Sequence, residues 1–187
     1  MSLNYKSNRF VMPVLILLLL ASCVPAWQVV TPEVVKVGNS TLRLPQTWLY
    51  LNQNGDSILA STDGPFIQTI HAGLESYDRA FITTEQFVSE NTLLLEVMDY
   101  YIAEIQEFNS EVQYDVVSRE AIRLSDTDAF KVTLEYKTQL GLRVRQQFVG
   151  LNHADGMYLL SYSAPVIHYF DKNLSDFNYV VSSFQLN

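Results

Sequence analysis

Apolar residues recur with three different periods along this chain, and the changes of period mark its parts. An apolar run, Phe10 to Leu20 interrupted only by Pro13, follows a start that carries Lys6 and Arg9 and no acid. The small residues Ala21 and Ser22 come next. This charged, apolar, small order is that of a secretory signal, and a run this short rises only about 16 Å as a helix, roughly half the hydrocarbon thickness of a bilayer. The reading is therefore a removable segment over residues 1–22.

Beyond it, short apolar stretches at Val34 to Val37 and Thr41 to Leu44 flank Gly38-Asn39, and a second pair, Ile58 to Ser61 and Phe66 to Ala72, flanks the turn signal Thr62 to Pro65. Both read as hairpins. Thr83 with Gln86 fits a capping box, and Phe87, Leu94, Leu95, Met98, Tyr101, Ile102, Ile105 and Phe108 recur at helical spacing, which predicts a helix from Thr84 to Phe108. From Val112 to Ala164 the period becomes two. Connections at Ser125 to Asp128, Gln139 to Gly141 and Asn152 to Gly156 predict a four-strand antiparallel meander, with Phe130, Val132, Leu134 and Tyr136 on one buried face. Pro165 is placed to open a closing helix whose stripe is Phe170, Leu174, Phe177, Val181 and Phe184. Two helices with six or seven mostly antiparallel strands define an α+β sandwich.

Removing residues 1–22 leaves 165 residues, enough for one domain. It also takes Lys6 and Arg9 from the 12 cations, so 10 face 20 acids and the net charge moves from −8 to −10. Such a surface disfavours nucleic acid and anionic lipid as general partners. Residues 23–33, with prolines at 25 and 32, read as a short tether and 34–187 as the domain.

Leu20-Ala21-Ser22-Cys23, placed directly after the apolar run, resembles the lipobox of bacterial lipoproteins. That resemblance implies cleavage before Cys23, thioether linkage to diacylglycerol and N-acylation. Several acyl chains together give stable bilayer attachment, since each buried methylene contributes about 0.8 kcal/mol. Val24, where the related sorting pattern places aspartate for inner-membrane retention, implies the outer membrane and a periplasm-facing domain. Cys23 is the sole cysteine, so no intramolecular disulfide forms.

The segment Gly156 to Leu186, ending in Ser183-Phe184, and the early Leu44-Pro45 with Trp48 resemble the PsbP/Mog1-like proteins. This implies a central antiparallel sheet with helices packed on it. It also implies an adaptor or accessory role, because the family includes photosystem extrinsic subunits, a nuclear transport factor and small lipoproteins. The matching residues are packing residues, and none carries over as an active site.

Catalytic motifs are sparse. His71, His153 and His168 are far apart, no nucleophile elbow or phosphate-binding glycine loop occurs, and Glu85, Glu90, Glu104 and Glu107 fit a solvated helix face. His153 with Asp155 offers two metal ligands without a third. The expectation is a non-catalytic protein without cofactor or metal.

Six cations, Arg119, Arg123, Lys131, Lys137, Arg143 and Arg145, are all odd-numbered in strands with even-numbered apolar sets. A three-residue loop at Gln139 to Gly141 sets Lys137 opposite Arg143 and Glu135 opposite Arg145, and the expected register brings Arg119 and Arg123 to the same side. The predicted face suits an anionic partner. Val149, Leu151, Met157 and Leu159 are expected to form its apolar end, and Tyr158, Leu160 and Tyr162 to point the other way. A membrane-anchored accessory factor with an envelope protein partner is the function expected; the rival is a small-ligand carrier with a pocket lined by Tyr101, Tyr158 and Tyr162.

Overall fold

A computed structural model describes residues 27–31 and 34–187; the expected signal segment over residues 1–22 and Cys23 lie outside the described residues. The strands are β1 (Gln28–Val29), β2 (Val35–Val37), β3 (Ser40–Leu42), β4 (Leu49–Gln53), β5 (Ser57–Ser61), β6 (Thr69–Glu75), β7 (Tyr114–Leu124), β8 (Thr127–Lys137), β9 (Arg143–His153), β10 (Gly156–Pro165) and β11 (Gln185–Leu186). The helices are α1 (Leu94–Phe108) and α2 (Tyr169–Ser183).

Eight strands form one antiparallel sheet in the order β1-β4-β5-β6-β10-β9-β8-β7, and β11-β3-β2 form a small second sheet. The helices take opposite faces. Under α1 lie Phe130, Val132, Leu134, Phe148, Met157 and Leu159 with Val97, Met98 and Ile102. On the other face α2 and the small sheet cover Ile58, Ile70, Tyr158, Leu160 and Tyr162 with Phe170, Phe177 and Phe184. This is the predicted α+β architecture, with more strands than the sequence suggested.

Three local expectations change. The first helix begins ten residues later than the capping box implied, because Thr83 and Thr84 are spent elsewhere. Their backbone N–H groups donate to the Glu104 carboxylate at 2.8 and 2.9 Å, and the Thr84 hydroxyl adds a bond at 2.8 Å. Burial alone would raise the Glu104 carboxyl, but these bonds hold it below the ordinary value. Phe87 is left exposed, and Phe81 fills the core instead, edge-on to Tyr100. Pro165 ends β10 and does not open α2, which starts after His168 at a positive φ of 72°.

The third change concerns the tether. Gln28 and Val29 pair with Tyr50 and Leu49, Val30 is buried, and its N–H donates to the Trp48 carbonyl at 3.3 Å. Among the described residues the sheet therefore begins at Gln28, inside the segment expected to be tether. Only four residue steps separate Trp27 from Cys23, a reach of at most about 14 Å.

Candidate binding face

Turn length decides which side chains share a face. Residues directly opposite in an antiparallel pair point the same way. The loop between β8 and β9 preserves odd parity, pairing Lys137 with Arg143 and Glu135 with Arg145 as the sequence predicted. The turn between β7 and β8 has only two residues, Ser125 and Asp126, both at positive φ (49° and 60°), so Leu124 pairs with Thr127 and Arg123 with Asp128. Odd residues of β7 then meet even residues of β8. A bulge between Val116 and Ser118 restores odd-with-odd pairing at the far end, where Asp115 meets Glu135.

The expected six-cation face is therefore divided. Lys131, Lys137, Arg143 and Arg145 stay together on the α2 face, while Arg119 and Arg123 lie on the α1 face. Arg119 reaches Asp99 of α1 at 2.6 Å, and Arg123 pairs with Asp128 at 3.3 Å. The same parity error affects β10. Its two-residue turn pairs His153 with Gly156, so Val149 and Leu151 share the α2 face with Leu160 and Tyr158. Met157 and Leu159 belong under α1.

The four remaining cations are organised by one carboxylate. Glu135, 8% exposed, accepts from Arg145 Nε at 2.7 Å and from terminal guanidinium nitrogens of both Arg145 and Arg143. Burial pushes this carboxyl up, but the two guanidinium groups outweigh it and hold it below its usual value. Arg145 also lies over the Phe170 ring, 5.1 Å from its centroid, which fixes it between α2 and the sheet. Lys131 pairs with Glu120 at 2.7 Å. Lys137 is exposed and has no ion-pair partner among the described residues. Arg143, its side chain 57% exposed, lines with Lys137 a shallow surface cleft bordered by Gln113, Asp115 and Tyr136. Local neutralisation leaves Lys137 and the outer side of Arg143 as the accessible positive charge.

A second polar cluster closes the opposite end of the sheet. Asp155 accepts from the Tyr158 hydroxyl at 2.8 Å and from the Asn39 amide at 2.8 Å, and its other oxygen lies 2.5 Å from His153 Nδ1. Burial raises the Asp155 carboxyl, but its bonds with His153, Tyr158 and Asn39 prevail and hold it low. The same burial, with Asp155 as acceptor, pushes the Tyr158 hydroxyl up to about 12. Tyr158 in turn accepts the Asn39 backbone N–H at 3.0 Å, so the cluster ties the β2–β3 turn to the β9–β10 turn. The sequence showed the His153 and Asp155 pair but not Tyr158 or Asn39, which come from 119 residues apart.

The three histidines do not converge. His71 lies mid-sheet opposite Ser161, where burial lowers its pKa, His153 lies at the end of β9, and His168 precedes α2. Among the described residues no group of three or more His, Cys, Asp or Glu is arranged to hold a metal ion. The tyrosines of the carrier reading do not share a pocket. Tyr158 and Tyr162 are fully buried on the α2 face against Phe184, Phe170 and Phe177, whereas Tyr101 packs on Phe148 and Phe130 across the sheet.

Comparison with solved structures places this architecture. Cyanobacterial PsbP from Synechocystis sp. PCC 6803 superposes with a TM-score of 0.58 at 10% identity, covering 90% of this chain and 99% of that one. A point mutant of the protein Mog1 gives 0.54 at 11% identity, over 83% and 96%. LpqN of Mycobacterium tuberculosis, described as involved in cell envelope biogenesis, gives 0.50 at 15%, over 82% and 88%. The fold is PsbP/Mog1-like. No protein-family model matches the sequence, and no curated protein matches it significantly.

Proposed function

We propose that this protein is a lipoprotein held on the periplasmic side of the outer membrane by acylated Cys23, where it serves as a non-catalytic binding or assembly factor for an envelope protein. The observation that carries the reading is the junction between lipobox and fold. The sheet begins five residues after Cys23, so an acyl anchor there would hold the domain against the bilayer with no long linker. The interior supports binding through a surface in preference to a carrier cavity, since the tyrosines expected to line a pocket are core residues. The fold shared with an envelope-biogenesis protein agrees with such a role.

Cys23→Ala tests it. The variant should lose incorporation of a fatty-acid probe, accumulate as uncleaved precursor and leave the sarkosyl-insoluble outer-membrane fraction. Retained labelling would refute acylation at Cys23.

A further inference from the structure

Two buried amides are each short of one hydrogen bond, and both stand beside a carboxylate. Gln68, 1% exposed, donates its side-chain N–H to Asp63 at 2.6 Å, and Asn173, 9% exposed, donates its own to Asp176 at 3.1 Å. The carbonyl oxygens of these two side chains are buried without a hydrogen-bond partner. Turning either amide over would not help, since it would set the amide oxygen against a carboxylate oxygen. Because the oxygen and nitrogen of an amide share one carbon, each orphaned oxygen sits close to the carboxylate that its own nitrogen bonds.

The fold brings the two amides to one place. Trp48, Asp63 and Gln68 lie just beyond the paired ends of β4, β5 and β6, where Leu49 faces Ser61 and Ala60 faces Ile70. The Ser61 hydroxyl donates to the Gln68 backbone carbonyl at 2.8 Å and closes the loop that holds Asp63. Helix α2 is tied to this end twice: Lys172 reaches Asp63 at 2.9 Å, and the Trp48 indole N–H donates to Asp176 at 2.8 Å. Residues 172 and 176 are one helical turn apart, about 5–6 Å between Cβ atoms. Beneath α2, Tyr162 is fully buried, and its hydroxyl is pushed up by burial and then by the charges of Asp176, Asp171 and Asp63.

Each carboxylate uses only one oxygen. Both bonds to Asp63 and both bonds to Asp176 fall on Oδ2, so Oδ1 of each has no hydrogen bond among the described residues. Four donors therefore stand without partners, two from carboxylates and two from amides, and all four are oxygen. Such a set suits a hard cation and not zinc. The three carboxylates around Tyr162 against the one ammonium of Lys172 leave two negative charges, which a divalent cation cancels. Calcium takes six to eight oxygens in a flexible shell completed by water, whereas magnesium demands a strict octahedron. Only two of the four donors are acidic, so the set is distinct from a group of three or more His, Cys, Asp or Glu.

We infer that Asp63, Gln68, Asn173 and Asp176 form a calcium site that clamps the first turns of α2 to the β5–β6 loop, with the Lys172 ammonium competing for Asp63.

The test uses the full-length chain in neutral detergent, stripped with chelator, then titrated with calcium by calorimetry and with terbium by luminescence excited through Trp48. The result expected is one calcium per chain with a Kd of about 10⁻⁴ M, terbium emission that calcium displaces, and a Tm raised by calcium. Asp63→Asn and Gln68→Met should each weaken calcium binding at least tenfold. Lys172→Met, an exposed change that removes the ammonium from Asp63, should tighten it at least threefold. That gain separates ligation from damage to the fold, so the test stands even where a buried variant fails to fold. No calcium uptake, terbium emission that calcium leaves unchanged, several ions per chain indifferent to these substitutions, or an unchanged affinity in Lys172→Met would overturn the site.

Discussion

Replacing Glu135 with Gln removes one charge and almost no volume, so it isolates the electrostatic part of the hub. In the native protein this carboxylate, 8% exposed, accepts one bond from Arg143 and two from Arg145, all charge-assisted. Bonds to ionised groups contribute about 1.5–3 kcal/mol when shielded, but Arg143 is mostly exposed and its share falls toward the surface value of about 0–1. Arg145, 27% exposed and stacked on Phe170, retains most of its share. Together they give about 1–2 kcal/mol of lost stability at pH 7, or roughly 4 °C in Tm for a domain of this size. The pH dependence carries the sign. Glu135 has a folded pKa below its ordinary 4.5, so its contribution is complete above 4.5 and disappears as pH falls through the folded value. Urea unfolding at pH 7 and at progressively lower pH should show the variant and parent curves converging under acid. Equal stability at pH 7, or a difference that persists unchanged below the folded pKa, would refute the hub.

Other substitutions probe other parts of the account. A Cβ at Gly150 would come within 2.4 Å of the Phe130 ring under α1, so Gly150→Ala should cost about 1–3 kcal/mol by calorimetry. Asp126 holds a φ of 60° in the β7–β8 turn, and Asp126→Gly should stabilise by about 0.5–1 kcal/mol, visible as a raised urea midpoint with unchanged slope. Asp155→Asn should cost about 1–2 kcal/mol above the ordinary aspartate pKa of 3.8 and less below it, since the native carboxyl is held low; it should also speed amide exchange at Asn39.

The sequence revealed strands and buried stripes better than faces. The alternation from Phe130 to Tyr136 named the core side of β8 correctly, because period two survives any register. Assigning neighbours to that side depends on turn length, and one residue of error there inverts a strand. The three-residue loop at Gln139 to Gly141 is readable from its glycine, at a φ of 81°, and so are the pairs it sets. The two-residue turns at Ser125-Asp126 and Ala154-Asp155 are not. In the first, two non-glycine residues adopt positive φ, a choice that propensity disfavours and the long β7–β8 pairing enforces. That is why Arg119 and Arg123 leave the cationic face.

The exposure of Phe66 and Ile167 is hidden for a related reason. Phe66 and Ile167 fall within a predicted strand and a predicted helix, where apolar residues are expected to be buried. Loop boundaries free them, and the Pro165 to His168 break depends on the positive φ at His168, which no local pattern signals. The first helix is overextended by the sequence pattern because Thr83 and Gln86 match a cap locally, while the partner that claims Thr83 and Thr84, Glu104, lies about 20 residues on.

The intact mass of the full-length protein after detergent extraction from the outer-membrane fraction tests the central claim most directly. The account predicts a chain that starts at Cys23 and carries a thioether-linked diacylglycerol and an amide-linked acyl group on that residue. A chain that starts elsewhere, or one in which Cys23 is an unmodified thiol, would contradict it.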